Sequence, residues 1–268
     1  MDTEKKIEIL KKIKCFILDM DGTIYLGNNL FPFTPEFLKT AKEKNKDFRF
    51  FTNNSSKNSK MYGDKLKKMG IELLHEVMIS NEVIIDYIKK NYKNPRAFVL
   101  GTPALIEDFK NSGIEIDEQN PNIAVLGFDT TLEYNRLSKF CTFVRNGVDY
   151  FGVNLDLNCP VENGGFIPDC GSMAKLVEAS TKRYPEFFGK PSRHTVDYIV
   201  NKTGYKQSEL MFIGDRLYTD IAIAEGTEAY SALVLSGEAT LSDLEKSEHK
   251  PSFVIESLKE LTELLKQM

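Results

Sequence analysis

Two carboxylates stand two residues apart in the stretch FILDMDGTIYLG, residues 16 to 27, with only Met20 between Asp19 and Asp21. Charges that close repel and push at least one pKa upward unless solvent, a cation or a shared proton offsets them. Further along, Thr52 and Asn53 close the run DFRFFTN with Asn54 after them, Lys190 sits in GKP, and Asp215 follows the apolar LMFIG with Asp220 in the next loop. Four acids, a hydroxyl and an amide brought together would suit a hard cation with oxygen ligands. The simplest such cation is Mg2+, with waters and a phosphate completing its octahedron.

Each element alone has a plainer reading. A DxD pair at a strand end can be an Asx-turn, TNNSS a polar loop or helix N-cap, GDRLYTD a turn with a cap, and GKP a solvated loop. An EF-hand is excluded, because Gly22 comes too early in the loop and Leu30 stands where the bidentate Glu belongs.

The elements that must position these residues follow from pattern. Apolar runs at 15–19, 47–53, 210–215 and 229–237 have no polar alternation, as expected of parallel strands covered on both faces. Amphipathic stretches separate them. One starts at Thr34-Pro35 and carries Phe37, Leu38 and Ala41 on one side; another runs from about Lys57 to Met69 and is ended by Gly70. The middle of the chain has its own alternation, with strands at 97–101, 123–128 and 149–154, then a Gly/Pro/Asn-rich stretch at 158–171. The expectation is an α/β protein with a Rossmann-like, doubly wound parallel-sheet core in two parts, 1–82 and 187–268, and an inserted α/β domain at 83–186. Ligands of such sheets bind beyond the carboxyl ends of the strands, where Asp19, Thr52-Asn53 and Gly214-Asp215 fall.

Composition narrows the class. The 268 residues are 41% hydrophobic and 28% charged with a net charge of -4, and no basic stripe marks a nucleic-acid surface. Cys15, Cys141, Cys159 and Cys170 have no CxxC spacing, so neither a disulfide framework nor a zinc site is expected. The apolar stretch from Ile13 to Leu18 is short and broken by Lys14, and no later run reaches the roughly 18 apolar residues of a membrane span. A cytoplasmic protein with no membrane partner is the expectation. His75, His194 and His249 stand apart from the motifs and read as surface or packing residues, and Thr102-Pro103 reads as a helix N-cap and first turn.

FILDMDGT, FFTNNSS, GKP and FIGDRLYTD, in that order, resemble the four motifs of the haloacid dehalogenase superfamily of phosphatases. The long block between the second and third resembles the α/β cap of its p-nitrophenyl phosphatase, or NagD-like, branch. The resemblance implies a phosphatase of small phosphomonoesters, with p-nitrophenyl phosphate as an artificial substrate. Asp19 would be the nucleophile forming an aspartyl-phosphate, and Asp21 the general acid and then base. Mg2+ would be held by the Asp19 carboxylate, the Asp21 backbone carbonyl and Asp215, with Asp220 orienting this shell or Lys190. Thr52, the amide of Asn53, Asn54 and Lys190 would hold the phosphoryl group. Gly22 would allow a tight turn beside the metal, and Thr23 would hold that turn. Asn154, Asp156, Asn158 and Cys159 are candidates for reading the leaving group from the cap, and branch members are often dimers through the cap.

Two other readings use the same residue types. A phosphotransferase or mutase would pass the phosphoryl group to a sugar hydroxyl rather than water. A response-regulator receiver also groups acids, Mg2+, a Thr and a Lys around a phosphorylated Asp. It needs only about half this length, however, and carries its acid pair on the first strand and its phosphorylated Asp on the third.

Overall fold

The computed structural model describes residues 2–161 and 165–268. Two compact units emerge. The first takes the chain up to Phe51, Gly63–Met78 and Val196–Met268; the second takes Thr52–Tyr62 and Ile79–Thr195. No helix among the described residues is long and apolar enough to cross a membrane.

The first unit is built on a sheet with strand order Phe253–Ile255, Tyr230–Val234, Leu210–Gly214, Cys15–Leu18, Asp47–Thr52 and Met78–Ile79. The Cys15–Leu18 strand is central. It pairs in parallel with Leu210–Gly214 on one side and Asp47–Thr52 on the other, Leu18 opposite both Ile213 and Phe50. Every residue of Cys15–Leu18 and Leu210–Gly214 is buried, which accounts for their uninterrupted apolar runs. The helix Thr34–Glu43 starts with Pro35 in its first turn and buries Phe37, Leu38 and Ala41, the stripe read from the sequence. Phe37 meets Phe16 of the central strand at a ring-centroid distance of 5.6 Å. Full burial of such side chains is worth roughly 1.5–3 kcal/mol each. The next helix, Ser59–Lys68, ends before Gly70, whose φ of 84° is a left-handed C-terminal stop.

The second unit has a five-stranded sheet of its own, in the order Glu186–Phe187, Asp149–Gly152, Ile123–Leu126, Arg96–Leu100, Glu115–Ile116, all parallel. The helices Tyr134–Arg145 and Cys170–Thr181 cover it around a core of Phe98, Leu126, Phe140, Tyr150 and Val177. The Gly/Pro/Asn-rich stretch contains two antiparallel strands, Asn158–Val161 and Gly165–Pro168; its residues 162–164 lie outside the described ones. The alternation of strands and helices around parallel sheets is the Rossmann-like α/β architecture expected from the sequence.

Candidate active site

At the carboxyl edge of the central strands the chain turns sharply. Asp19 directly follows Cys15–Leu18 and donates its N–H to Ile213 O at 2.8 Å, which keeps it in line with the neighbouring strand. Met20 O then accepts from the N–H groups of Thr23, Ile24 and Tyr25, while Gly22 N–H donates to Tyr25 O at 2.8 Å. Gly22 takes a φ of 84°, which a side chain would strain. The sequence assigns Thr23 to hold this turn, but its buried hydroxyl has no hydrogen-bond partner among the described residues. The Met20 carbonyl does the holding, three N–H groups converging on one acceptor, and only the Thr23 backbone takes part.

Asp215 directly follows Leu210–Gly214. Its Oδ2 accepts from Glu238 N–H at 2.7 Å. Its Oδ1 is buried and takes no hydrogen bond from the described residues. Asp220 lies in the wide π-type turn Leu217–Ile221, a rare geometry that recurs at functional sites. One of its oxygens accepts from Arg216 N–H at 3.1 Å. Side-chain oxygens of Asp19, Asp215 and Asp220 all lie within 4.8 Å of one another. Asp220 therefore stands among the candidate ligands, nearer than the orienting role read from sequence.

The electrostatics of this cluster are costly without a cation. Burial first, then the charges of Asp19 and Asp220, hold the Asp215 pKa well above the ordinary carboxylate range. A buried carboxylate oxygen with no donor carries a desolvation penalty that hydrogen bonding does not offset. A divalent cation would satisfy that oxygen and reverse the penalty on the ionised form. The residues present fit such an ion: oxygen donors only, three carboxylates, at the carboxyl ends of parallel strands.

The remaining expected residues form a second constellation, within the second unit. Thr52 closes its strand, is 8% exposed, and accepts from Asn54 N–H at 3.2 Å, which leaves its hydroxyl proton for another acceptor. The Asn53 side chain is fully engaged with protein. Its Oδ1 accepts from Lys190 N–H at 2.7 Å, and its Nδ2 donates to Lys190 O at 2.9 Å and to Asp156 Oδ2 at 2.8 Å. Its backbone N–H, not its side chain, is the group left to serve as a phosphoryl ligand. Asn54 Oδ1 accepts from Ser56 N–H and Oγ, and its Nδ2 faces Cys159 Sγ at 3.6 Å. Lys190 is 3% exposed.

The four candidates for reading a leaving group divide. Asn154 and Asp156 are 0% and 2% exposed and bind to one another, Asn154 Nδ2 to Asp156 Oδ2 at 3.0 Å. The Asn154 amide is committed to buried partners and so does not face a ligand as the sequence suggested, while Asp156 Oδ2 accepts from both Asn53 and Asn154. Asn158 is exposed and Cys159 half-buried, both in the Asn158–Val161 strand. Thr102 caps its helix, accepting from Leu105 N–H at 3.3 Å and donating to Ser56 O at 3.0 Å. Each histidine has an acid beside it, Asp47 for His75, Glu186 for His194 and Glu225 for His249. Sequence reasoning missed Gly237 and Glu238, which pack on Asp215; the only signal was a Gly closing the run at 229–237.

Comparison with known proteins identifies the arrangement. Models of haloacid dehalogenase-like hydrolases match residues 16–115 and 187–261. A 4-nitrophenylphosphatase from Thermotoga maritima superposes with a TM-score of 0.91 at 46% identity, over 95% of this chain and 98% of that one. The chain belongs to the haloacid dehalogenase-like hydrolases. Within that family it is a NagD-like phosphatase. NagD from E. coli K-12 superposes with a TM-score of 0.84 at 27% identity, over 92% of this chain and 98% of that one. The 5'-nucleotidase YutF of Bacillus subtilis is 28% identical over 94% of this chain and 98% of its own length. The first family match opens in the strand before Asp19 and contains Thr52, Asn53 and Asn54, and the second contains Lys190, Asp215 and Asp220; Asn154, Asp156, Asn158 and Cys159 lie between the two matches.

Proposed function

We propose that this phosphatase hydrolyses small phosphomonoesters with Mg2+, through an aspartyl-phosphate on Asp19. The observation that carries the reading is the Asp19, Asp215 and Asp220 cluster, together with a buried Asp215 Oδ1 that has no hydrogen-bond partner among the described residues. Bound Mg2+ would supply charge neutralisation among these acids and on the phosphoryl oxygens.

In the first step an Asp19 carboxylate oxygen attacks phosphorus and the ester P–O bond breaks. Asp21 gives its proton to the departing alkoxide oxygen. In the second step Asp21, now ionised, takes a proton from water as the water oxygen attacks the same phosphorus. The bond from phosphorus to Asp19 breaks, inorganic phosphate leaves, and both carboxyl groups return to their starting states. The Thr52 hydroxyl and the Asn53 backbone N–H would donate to phosphoryl oxygens, and Lys190 would balance their charge. Donors aimed at developing charge are typically worth about 2.7–4 kcal/mol each.

Hydrolysis rather than transfer is favoured because the relatives are named as phosphatases and a nucleotidase. Their names span an aryl ester and a 5'-nucleotide, which supports small phosphomonoesters as the substrate class. Four free cysteines suit a reducing, cytoplasmic setting. The test is phosphate release from p-nitrophenyl phosphate and a panel of metabolite phosphates, with Mg2+ or with chelator. Release that requires Mg2+ supports the reading; a folded, metal-supplied chain that releases none from any compound sinks it.

A further inference from the structure

The Asn53 side chain pairs with Lys190 as a neighbouring β-strand would. Its Oδ1 takes the Lys190 N–H at 2.7 Å and its Nδ2 serves the Lys190 carbonyl at 2.9 Å. The second Nδ2 proton goes to Asp156 Oδ2 at 2.8 Å. Both amide protons are then used. The approach is close enough to require Gly189, where a Cβ would stand 2.7 Å from Asn53 Oδ1.

Asp156 decides which way that amide points. Turned over, the amide would set its oxygen against the Asp156 carboxylate and its NH2 group against the Lys190 N–H. Both contacts would be repulsive and both Lys190 backbone groups would go unpaired. Asp156 is itself braced. The same Oδ2 accepts from Asn154 Nδ2 at 3.0 Å, and Asn154 in turn donates to Asp169 Oδ1 at 3.0 Å and accepts from Ser55 Oγ at 2.8 Å. Ser55 Oγ also accepts from Phe128 N–H at 2.8 Å. These side chains are all buried, Asn53 being the most open at 6%. A network so enclosed tolerates one arrangement, because a half-satisfied polar group in the interior is expensive.

We propose that Asp156, acting through Asn53, is a positioning residue that holds Lys190 where its charge serves the phosphoryl group. The inference rests on the role given to Lys190 above. The Asn53 amide is committed to Lys190 and Asp156, and a displacement of Lys190 by an ångström is the failure the pair prevents.

The test exchanges the amide and the carboxylate of the clamp. Asn53→Asp removes the donor to Lys190 O and sets a carboxylate against Asp156; adding Asp156→Asn returns a donor to that contact. Three quantities are read on the full chain: kcat/KM for p-nitrophenyl phosphate, competitive inhibition by inorganic phosphate, and Tm. Asn53→Asp is expected to lower kcat/KM about 100-fold, the scale of an ångström misplacement. The double variant is expected to regain about tenfold in kcat/KM and in phosphate inhibition. Should Asn53→Asp not fold, Asn53→Ala removes the clamp without adding charge and is expected to weaken phosphate inhibition about tenfold. Folded single variants within about threefold of the parent overturn the proposal, threefold being the weight of a minor contact. A double variant that recovers only Tm, or recovers nothing, overturns it as well. A parent chain with no activity overturns the functional reading first, and this inference with it.

Discussion

The Asp215 carboxylate lies against the backbone of Gly237, where a Cβ would stand 2.5 Å from Asp215 Cγ. The chain wraps the acid from there on: Glu238 N–H donates to its Oδ2 and Ala239 N–H to its backbone carbonyl. Gly22 closes the other side, a Cβ there standing 2.7 Å from the same Cγ. Two glycines thus let two turns meet on one buried carboxylate. Gly237→Ala must displace either the turn or Asp215, at a cost of about 1–3 kcal/mol. Thermal unfolding is expected to register that loss, and phosphate release is expected to fall further than the lost stability explains.

Metal removal and a neutral side chain should act in opposite directions. Burial and neighbouring acids penalise ionised Asp215, so in chelator Asp215→Asn is expected to melt at or above the parent temperature. With Mg2+ the order reverses, because saturation to about 100 times Kd stabilises a binding-competent chain by roughly 2.7 kcal/mol and the variant forfeits this. Calorimetry of both proteins with and without Mg2+ checks the crossing. Parallel behaviour would remove Asp215 from the metal site.

Thr52 keeps one hydroxyl proton free after accepting from Asn54 N–H. Thr52→Ala is expected to reduce kcat about 100-fold or more, the usual cost of one lost donor to developing charge. Thr52→Ser should restore most of it. Steady-state kinetics of the two variants separates a hydroxyl role from a packing role.

Alkaline pH should weaken the fold through buried thiols. Burial pushes Cys15 from 9.0 up to about 12, and it pushes Cys170 and the Tyr150 hydroxyl upward too. The unfolded chain ionises Cys15 first, so it binds fewer protons than the folded chain between these values. Stability present below about pH 9 is therefore lost as pH rises towards about 12. Denaturant midpoints at about pH 8 and about pH 10 are expected to fall more steeply in the parent than in Cys15→Ala. Half-buried Cys159 is expected to be the first of the four thiols to be alkylated near neutral pH.

The core strands were legible because strands buried on both faces leave a mark no surface segment leaves, an unbroken apolar run such as CFIL. The short strands Met78–Ile79, Glu115–Ile116 and Phe253–Ile255 were not, since two or three residues cannot establish a period. The acids were legible because charge directly after an apolar run is conspicuous. What spacing could not reveal was commitment. Asn154, Asp156 and Asn158 look alike in a polar turn, yet two are sealed in a buried network and one is exposed. Gly237 gained its place from a loop closing on Asp215, a tertiary event that local sequence does not encode.

The central claim is that Asp19 carries the phosphoryl group. The most direct test is acid quenching of the chain during turnover of p-nitrophenyl phosphate, followed by mass measurement of its peptides. The account predicts one added phosphoryl group on the peptide holding Asp19, absent from Asp19→Asn, whose phosphate release should fall by about 10^3-fold or more. Phosphorylation of another residue, or undiminished release from Asp19→Asn, would contradict it.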